Sequence, residues 1–364
     1  MTLLDVKDLT VSFSTADGIV KAVRGVSFSI DPGQSLGIVG ESGSGKTVLT
    51  QSLLRLTPGA DISGRAEFDG LNLLTLTDDQ MRGIRGAQIA VIFQDPLTSL
   101  HPLYKVGWQI VEMIRVHDKS VSKSDATERA VDLLRRVGIP QPEQRVNDYP
   151  HQFSGGMRQR AMIAMALALS PKLIIADEPT TALDATVQAQ ILDLLLHLQK
   201  ESDTALILIT HDLGVVADIA DDVMVMYAGR AAENASKDDI FYRPHHPYTK
   251  GLLESIPNSS AAAERLKPIT GQPPSLISLP TGCAFHPRCA YVMERCLIEE
   301  PALVAVGAAG AHRSACFLPT RAVGLGEETE ELRRSAVGEG RHAAAAEVAA
   351  AIAASPEAEG SVIA

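Results

Sequence analysis

An α/β fold is predicted by three observations in this 364-residue sequence. Short runs of almost wholly apolar residues recur: Leu36-Gly37-Ile38-Val39, Leu173-Ile174-Ile175-Ala176 and Ala205-Leu206-Ile207-Leu208-Ile209. Such runs suit the central strands of a parallel sheet, which are covered on both faces. Helix-compatible stretches, Val48 to Leu56 and Thr186 to Lys200, lie between them. Each strand also ends in residues that carry chemistry, at the edge where open α/β sheets bind ligands.

The first strand runs into Gly40-Glu41-Ser42-Gly43-Ser44-Gly45-Lys46-Thr47, which has the form G-x-x-x-x-G-K-S/T. Strand, glycine loop and helix, in that order, are the context a phosphate-binding loop requires. The glycines let successive N–H groups turn inward around the phosphates. Lys46 would reach the β/γ-phosphates and Thr47 would ligate Mg²⁺, while the following helix points its positive end at the anion.

Residues 3–30 read as strands, with Ala16-Asp17-Gly18 and Asp31-Pro32-Gly33-Gln34 as turns. Residues 57–93 give further strand and turn signals, ending in Ile89-Ala90-Val91-Ile92-Phe93. From Val106 to Gly138 the period becomes helical (Ile110, Ile114, then Ala130, Leu133, Leu134, Val137), broken by polar Lys119 to Asp125. A helical insertion in a strand-bearing domain is the natural reading. Ser154-Gly155-Gly156-Met157 then opens a buried helix to Leu169, with Ser154 as N-cap. That helix start suits an anion, although a plain cap explains it equally.

The second strand ends at Asp177 and Glu178. Asp177 can hold the Mg²⁺ shell, and Glu178 can poise a water against the terminal phosphate. His211, after the third strand, follows the same strand-end logic as a γ-phosphate contact; a lone histidine there is otherwise structural.

The formal charge of −11 argues against a non-specific nucleic-acid binder. Hydrophobic residues at 45% supply ample core for more than one domain. No apolar run approaches the ~18–20 residues needed to cross a bilayer, and the first residues lack a basic region and cleavage site. Any role at a membrane is therefore expected through a partner.

Taken together, these residues resemble the ATP-binding subunit of an ABC transporter, from residue 3 to about 320. The resemblance implies a P-loop NTPase with a RecA-like core, an antiparallel β subdomain and a helical subdomain at about 97–165, all within 1–255. It makes Gly40–Thr47 the Walker A loop, Gln94 the Q-loop glutamine, Ser154-Gly155-Gly156-Met157 the signature and Leu173–Asp177 the Walker B strand. Glu178 becomes the catalytic base, Ala182-Leu183-Asp184 the D-loop and His211 the H-loop; Phe13 falls where an aromatic ring stacks on adenine. Thr47, Gln94 and Asp177 are implied around Mg²⁺, and Gln94 and His211 join Glu178 in catalysis. Ser154, Gly155, Gly156 and Asp184 are implied to meet nucleotide across a dimer, because each signature closes over the other subunit's Walker A loop.

Val91-Ile92-Phe93-Gln94-Asp95-Pro96, Gln152-Phe153-Ser154-Gly155-Gly156-Met157-Arg158-Gln159-Arg160 and Pro247-Tyr248-Thr249-Lys250-Gly251-Leu252-Leu253 are similar to the dipeptide/oligopeptide importer branch. Gly271-Gln272-Pro273-Pro274 and Pro280-Thr281-Gly282-Cys283 continue that likeness, whereas His101 stands where asparagine is expected. The branch implies a related but different partner ATPase, hence a heterodimer, on two membrane permease subunits. It also implies an extracytoplasmic substrate-binding protein, a place on the cytoplasmic face of the membrane, and a permease contact near Gln94. Nickel chelates and glutathione-like compounds are handled by similar ATPases, so peptides are the expected but not the sole candidate cargo.

Cysteines 283, 289, 296 and 316 are the chain's four, spaced C-x5-C-x6-C-x19-C in the extension 256–320. Four thiolates suit zinc or an iron–sulfur cluster, and the spacing lacks the short C-x2-C pairs of zinc ribbons. Members of the importer branch bind a 4Fe-4S cluster in this segment, and Phe285-His286-Pro287-Arg288-Cys289 resembles that pattern. Phe317 replaces a histidine that often follows the last cysteine. Zinc and unmetallated thiols remain the alternatives, and a structural staple is expected over electron transfer. Residues 321–364, acidic and alanine-rich, are expected to be a low-complexity, disordered tail.

Overall fold

The computed structural model describes residues 2–181, 183–256, 269–306 and 311–318. Ala182 and the tail expected over 321–364 lie outside the described residues.

The apolar runs form the centre of an eight-stranded sheet. Asp222–Tyr227, Ser35–Val39, Ala205–Thr210, Leu173–Asp177 and Ile89–Ile92 lie side by side in that order, all parallel. Ser35–Val39, Leu173–Asp177 and Ala205–Thr210 are buried along their whole length, as strands covered on both faces must be. Because the strands run parallel, their carboxyl ends share one edge, and that edge gathers the chemistry. The sheet continues antiparallel through Arg230–Ser236, Arg313–Ser314 and Val304–Ala305. The cysteine-bearing extension is therefore hydrogen-bonded into the main sheet.

A second, antiparallel sheet runs in the order Gly18–Ile30, Leu4–Thr15, Ala60–Phe68 and Leu71–Asn72. The first two are longer than their apolar segments suggest, because register shifts between Val6 and Leu9 and between Val11 and Ser12 break the alternation. One helix, Asp78–Ile84, falls where the sequence reads as strand and turn. Its start carries a capping box, in which Thr77 accepts from the Gln80 N–H while the Gln80 side chain accepts from the Thr77 N–H.

The helical insertion comprises Val106–His117 and Lys123–Arg136, with Gly155–Leu167 behind them. Ile110, Ile114, Ala130, Leu133 and Leu134 join Ile163 and the sheet residues Ile92 and Ile174 in one core. Fully burying each such aliphatic side chain stabilises by about 1.5–3 kcal/mol, which fixes the insertion to the sheet edge beside Gln94. A separate cluster of Tyr227, Tyr248 and Phe285 docks the cysteine segment on the sheet.

Candidate nucleotide-binding site

The phosphate loop is held open by backbone that only glycine adopts easily. Gly45 has φ of 99°, and a Cβ there would stand 2.3 Å from the Ala22 carbonyl oxygen. The helix Lys46–Leu53 starts directly after it. Lys46 is buried, and its Nζ donates to the carbonyl oxygens of Gly40, at 2.7 Å, and Glu41, at 3.0 Å. Burial lowers the pKa of this ammonium, while the nearby carboxylates of Glu178, Asp177 and Glu41 oppose the shift. The Ser44 hydroxyl is buried in the loop without a hydrogen-bond partner.

Across the sheet edge, Thr47 Oγ1 donates to Asp177 Oδ1 at 3.0 Å. Burial raises the pKa of Asp177, against the Thr47 hydrogen bond. Glu178 sits at the strand end with φ of 45°, a left-handed conformation that costs a non-glycine residue energy. Its Oε2 accepts from Gln94 Nε2 at 3.0 Å and from Thr181 Oγ1 at 2.9 Å. Its Oε1 lies 3.4 Å from His211 Nδ1. Gln94, Glu178 and His211 come from three neighbouring parallel strands, and sheet topology alone brings them together.

Lys46, Thr47, Gln94, Glu178 and His211 line an open cleft of about 980 Å³, the scale of a small-molecule site, and Asp177 stands behind it on Thr47. Phe13, Val20 and Ala22 line it together with the phosphate loop, Gln94, Glu178 and His211. Leu252, Pro273 and Leu276, which motif reading did not single out as site residues, also line it. The Leu276 carbonyl accepts from the Lys21 N–H at 3.2 Å, which sets that segment beside the Phe13 hairpin.

The cleft does not include Ser154, Gly155, Gly156 or Asp184. Ser154 caps its helix by accepting from the Met157 N–H, and Asp184 caps Ala185–Ser202 by accepting from the Val187 N–H. His101 also acts locally, its Nδ1 accepting from the Leu103 N–H at 3.3 Å. An asparagine side chain can accept the same two-residue-forward bond, so the departure keeps the turn.

Cys283, Cys289, Cys296 and Cys316 are free thiols lining one small cavity with His246, Phe285, Tyr291 and Phe317. Burial pushes the thiols of Cys283 and Cys289 up, and Cys316 to about 11. The neighbouring thiols raise each of these further. Among the described residues, no three or more His, Cys, Asp or Glu side chains converge to hold a metal ion.

Residues 23–181 match the ABC transporter family, and residues 232–296 match the oligopeptide/dipeptide transporter C-terminal region. The chain is 54% identical over 308 residues to the oligopeptide transport ATP-binding protein OppD of Bacillus subtilis (strain 168), covering 84% of this chain and 86% of that protein. It is 48% identical over 321 residues to the dipeptide transport ATP-binding protein DppD of Escherichia coli (strain K12), covering 88% and 97%. Among solved structures, it resembles the dimeric post-hydrolysis state of the ATP-binding cassette MJ0796 bound to ADP and Pi. That likeness has a TM-score of 0.59 and 27% identity, over 64% of this chain and 98% of that one. The ordered motifs at one sheet edge, the matched C-terminal region and these relatives agree: the chain belongs to the ATP-binding subunits of ABC transporters, in the oligopeptide/dipeptide branch.

Proposed function

We propose that this chain binds ATP in the cleft, hydrolyses it, and powers uptake of dipeptides and oligopeptides through a membrane permease. The observation that carries the nucleotide part is the meeting of Lys46, Asp177, Glu178, Gln94 and His211 at one sheet edge. The unpartnered Ser44 hydroxyl supports it, since a phosphate oxygen is the acceptor it lacks. Peptide cargo rests on the named relatives and the matched C-terminal region.

Phe13 stacks on the base, the loop N–H groups and Lys46 hold the β/γ-phosphates, and Thr47, Asp177 and Gln94 are the residues that would hold Mg²⁺. The ion supplies charge neutralisation to the phosphates. Glu178 orients a water and takes its proton as the water oxygen bonds to the γ-phosphorus and the bond to the ADP oxygen breaks. His211, beside the same carboxylate, contacts the γ-phosphate. The strained backbone at Glu178 aims that carboxylate into the cleft.

Ser154, Gly155, Gly156 and Asp184 serve the ATP of a second subunit, a related but different chain, which fits their absence from this chain's own cleft. Residues 1–255 form the cassette and 256–320 its extension. The permease docks near Gln94, on the insertion that follows it in the chain, where Leu103, Tyr104 and Trp108 are exposed and the last two rings stack at 4.3 Å. Attachment to the cytoplasmic face runs through that contact; no described helix is long and apolar enough to cross a membrane. An extracytoplasmic binding protein delivers the cargo, and nucleic acid is no partner.

The four thiols fit a 4Fe-4S cluster in chemistry. All four line one small cavity, and thiolates are the ligands such a cluster takes. It would act as a staple. Anaerobic purification with iron, sulfide and zinc analysis tests this; iron near zero contradicts it.

Reconstitution in proteoliposomes with permease, partner ATPase and binding protein tests the cargo. Peptides should stimulate ATP turnover and enter the vesicle; stimulation by a nickel chelate but not by peptides would overturn the peptide reading.

A further inference from the structure

We propose that Arg288, in the cysteine segment, is a positioning residue of the phosphate loop that ties down the Glu41 carboxylate and so sets ATP affinity. Arg288 is almost wholly buried, at 3% side-chain exposure. Its guanidinium grips Glu41 with both arms, Nη1 donating to Oε2 at 2.6 Å and Nη2 to Oε1 at 2.9 Å. Nη1 also donates to the Tyr227 hydroxyl at 3.3 Å, and Nε to the Thr270 carbonyl at 3.0 Å. Glu41 is held from the backbone side as well, its N–H donating to the Tyr248 hydroxyl at 2.8 Å.

Glu41 is the second residue of the phosphate loop, and its carbonyl already accepts from Lys46. Its carboxylate is close enough to bear on the Lys46 ammonium, as do Glu178 and Asp177. An unpaired carboxylate here opposes binding twice. It competes with the polyphosphate for Lys46, and it places a negative charge beside a tetra-anion at short range. The bidentate fork fixes the carboxylate in geometry that a single ammonium cannot reproduce. It also keeps this carboxylate from pairing with Lys46, whose Nζ donates to the Gly40 and Glu41 carbonyl oxygens.

The anchor of this arm is local. Arg288 ends the single turn His286–Arg288, which lies between Cys283 and Cys289. The His286 N–H donates to the Cys283 carbonyl at 3.0 Å, and the Cys289 N–H to the His286 carbonyl at 3.3 Å. Holding Cys283 and Cys289 in place therefore holds Arg288 on the loop. The extension thereby contributes to the nucleotide site, beyond completing the sheet.

The inference rests on ATP occupying the loop, which binding by the unaltered protein verifies independently. The test is equilibrium binding of MgATP, read with a fluorescent analogue, together with steady-state ATPase. Arg288→Gln should raise the Kd about tenfold or more, because a half-buried carboxylate loses its partner, while kcat at saturating ATP stays within about threefold. Adding Glu41→Gln to Arg288→Gln should bring the Kd back to within about threefold of the original, since the offending charge is gone. A merely structural role for Arg288 predicts no such rescue. Arg288→Lys, which keeps the charge but not the fork if the glutamine variant does not fold, should weaken binding less than Arg288→Gln does. Unchanged affinity in Arg288→Gln, a double variant as weak as the single one, or a lysine variant weaker than the glutamine variant would each overturn the proposal.

Discussion

Gln94 Nε2 donates a hydrogen bond to Glu178 Oε2 at 3.0 Å, linking the start of the helical insertion to the carboxylate at the end of the Leu173–Asp177 strand. Gln94 leaves the sheet one strand away from Glu178, so a shift of the insertion would move the amide along that carboxylate. Gln94→Ala should lower kcat for ATP about tenfold, the value of one hydrogen bond to a charged group. MgATP affinity should fall by less than kcat does, since Thr47 and Asp177 would still hold the ion. A kinetic comparison checks the split, and an effect confined to affinity would contradict it.

Lys46→Ala should act at the earlier step. Lys46 is the buried cation of the loop, and hydrogen bonds from a charged donor are worth about 1.5–3 kcal/mol each. ATP binding should weaken at least tenfold, measured by titration calorimetry, and unchanged affinity would count against the loop as the phosphate site.

The exposed Tyr104–Trp108 pair, in the insertion that follows Gln94, makes a prediction of another kind. Leu103 is 77% exposed and lies away from the cleft. Leu103→Glu should leave the isolated protein's ATPase within about twofold while disrupting a desolvated contact that holds about 1–3 kcal/mol. Pull-down of the permease from detergent, together with uptake assays, checks this; normal uptake in the variant would remove the surface from consideration.

His246 carries a pH dependence. Burial lowers its pKa to about 4, and its Nδ1 accepts from the Tyr248 N–H, which needs the unprotonated nitrogen. The unfolded chain takes up this proton near pH 6.5, whereas the folded chain resists until about pH 4. The neutral buried state is thus fully compatible with folding above pH 6.5, and stability falls as pH drops through that window, by about 3 kcal/mol in all. His246→Asn keeps an acceptor for the cap and removes the titration. Denaturant melts should show wild type losing stability relative to this variant between pH 6.5 and 4; parallel curves would contradict the assignment.

Much of the nucleotide site was legible because it is built from local motifs on parallel strands. Gly40–Thr47, Asp177, Glu178 and His211 each follow an apolar run, and a parallel sheet brings such positions to one edge without long-range information. The Ser154 cap was legible for a similar reason, since it acts within three residues. The Asp78–Ile84 helix shows that such a signal can be passed over when the surrounding residues alternate. What sequence spacing did not yield is what folds in from afar. Arg288 meets Glu41 across 247 positions, and Leu276 reaches Lys21 from the extension. Neither contact leaves a periodic trace, and an arginine before a cysteine reads as part of the cysteine pattern. The long first strands outrun their apolar segments because bulges interrupt their alternation.

The most direct test of ATP-driven transport is single-turnover and steady-state ATPase of Glu178→Gln in the assembled transporter, with peptide uptake measured in the same vesicles. Loss of the proposed general base should slow hydrolysis about 10²–10⁴-fold, leave ATP binding intact, hold the cassettes closed on their nucleotide and abolish uptake. Brisk turnover with sustained peptide uptake in that variant would contradict the role of Glu178 and the account built on it.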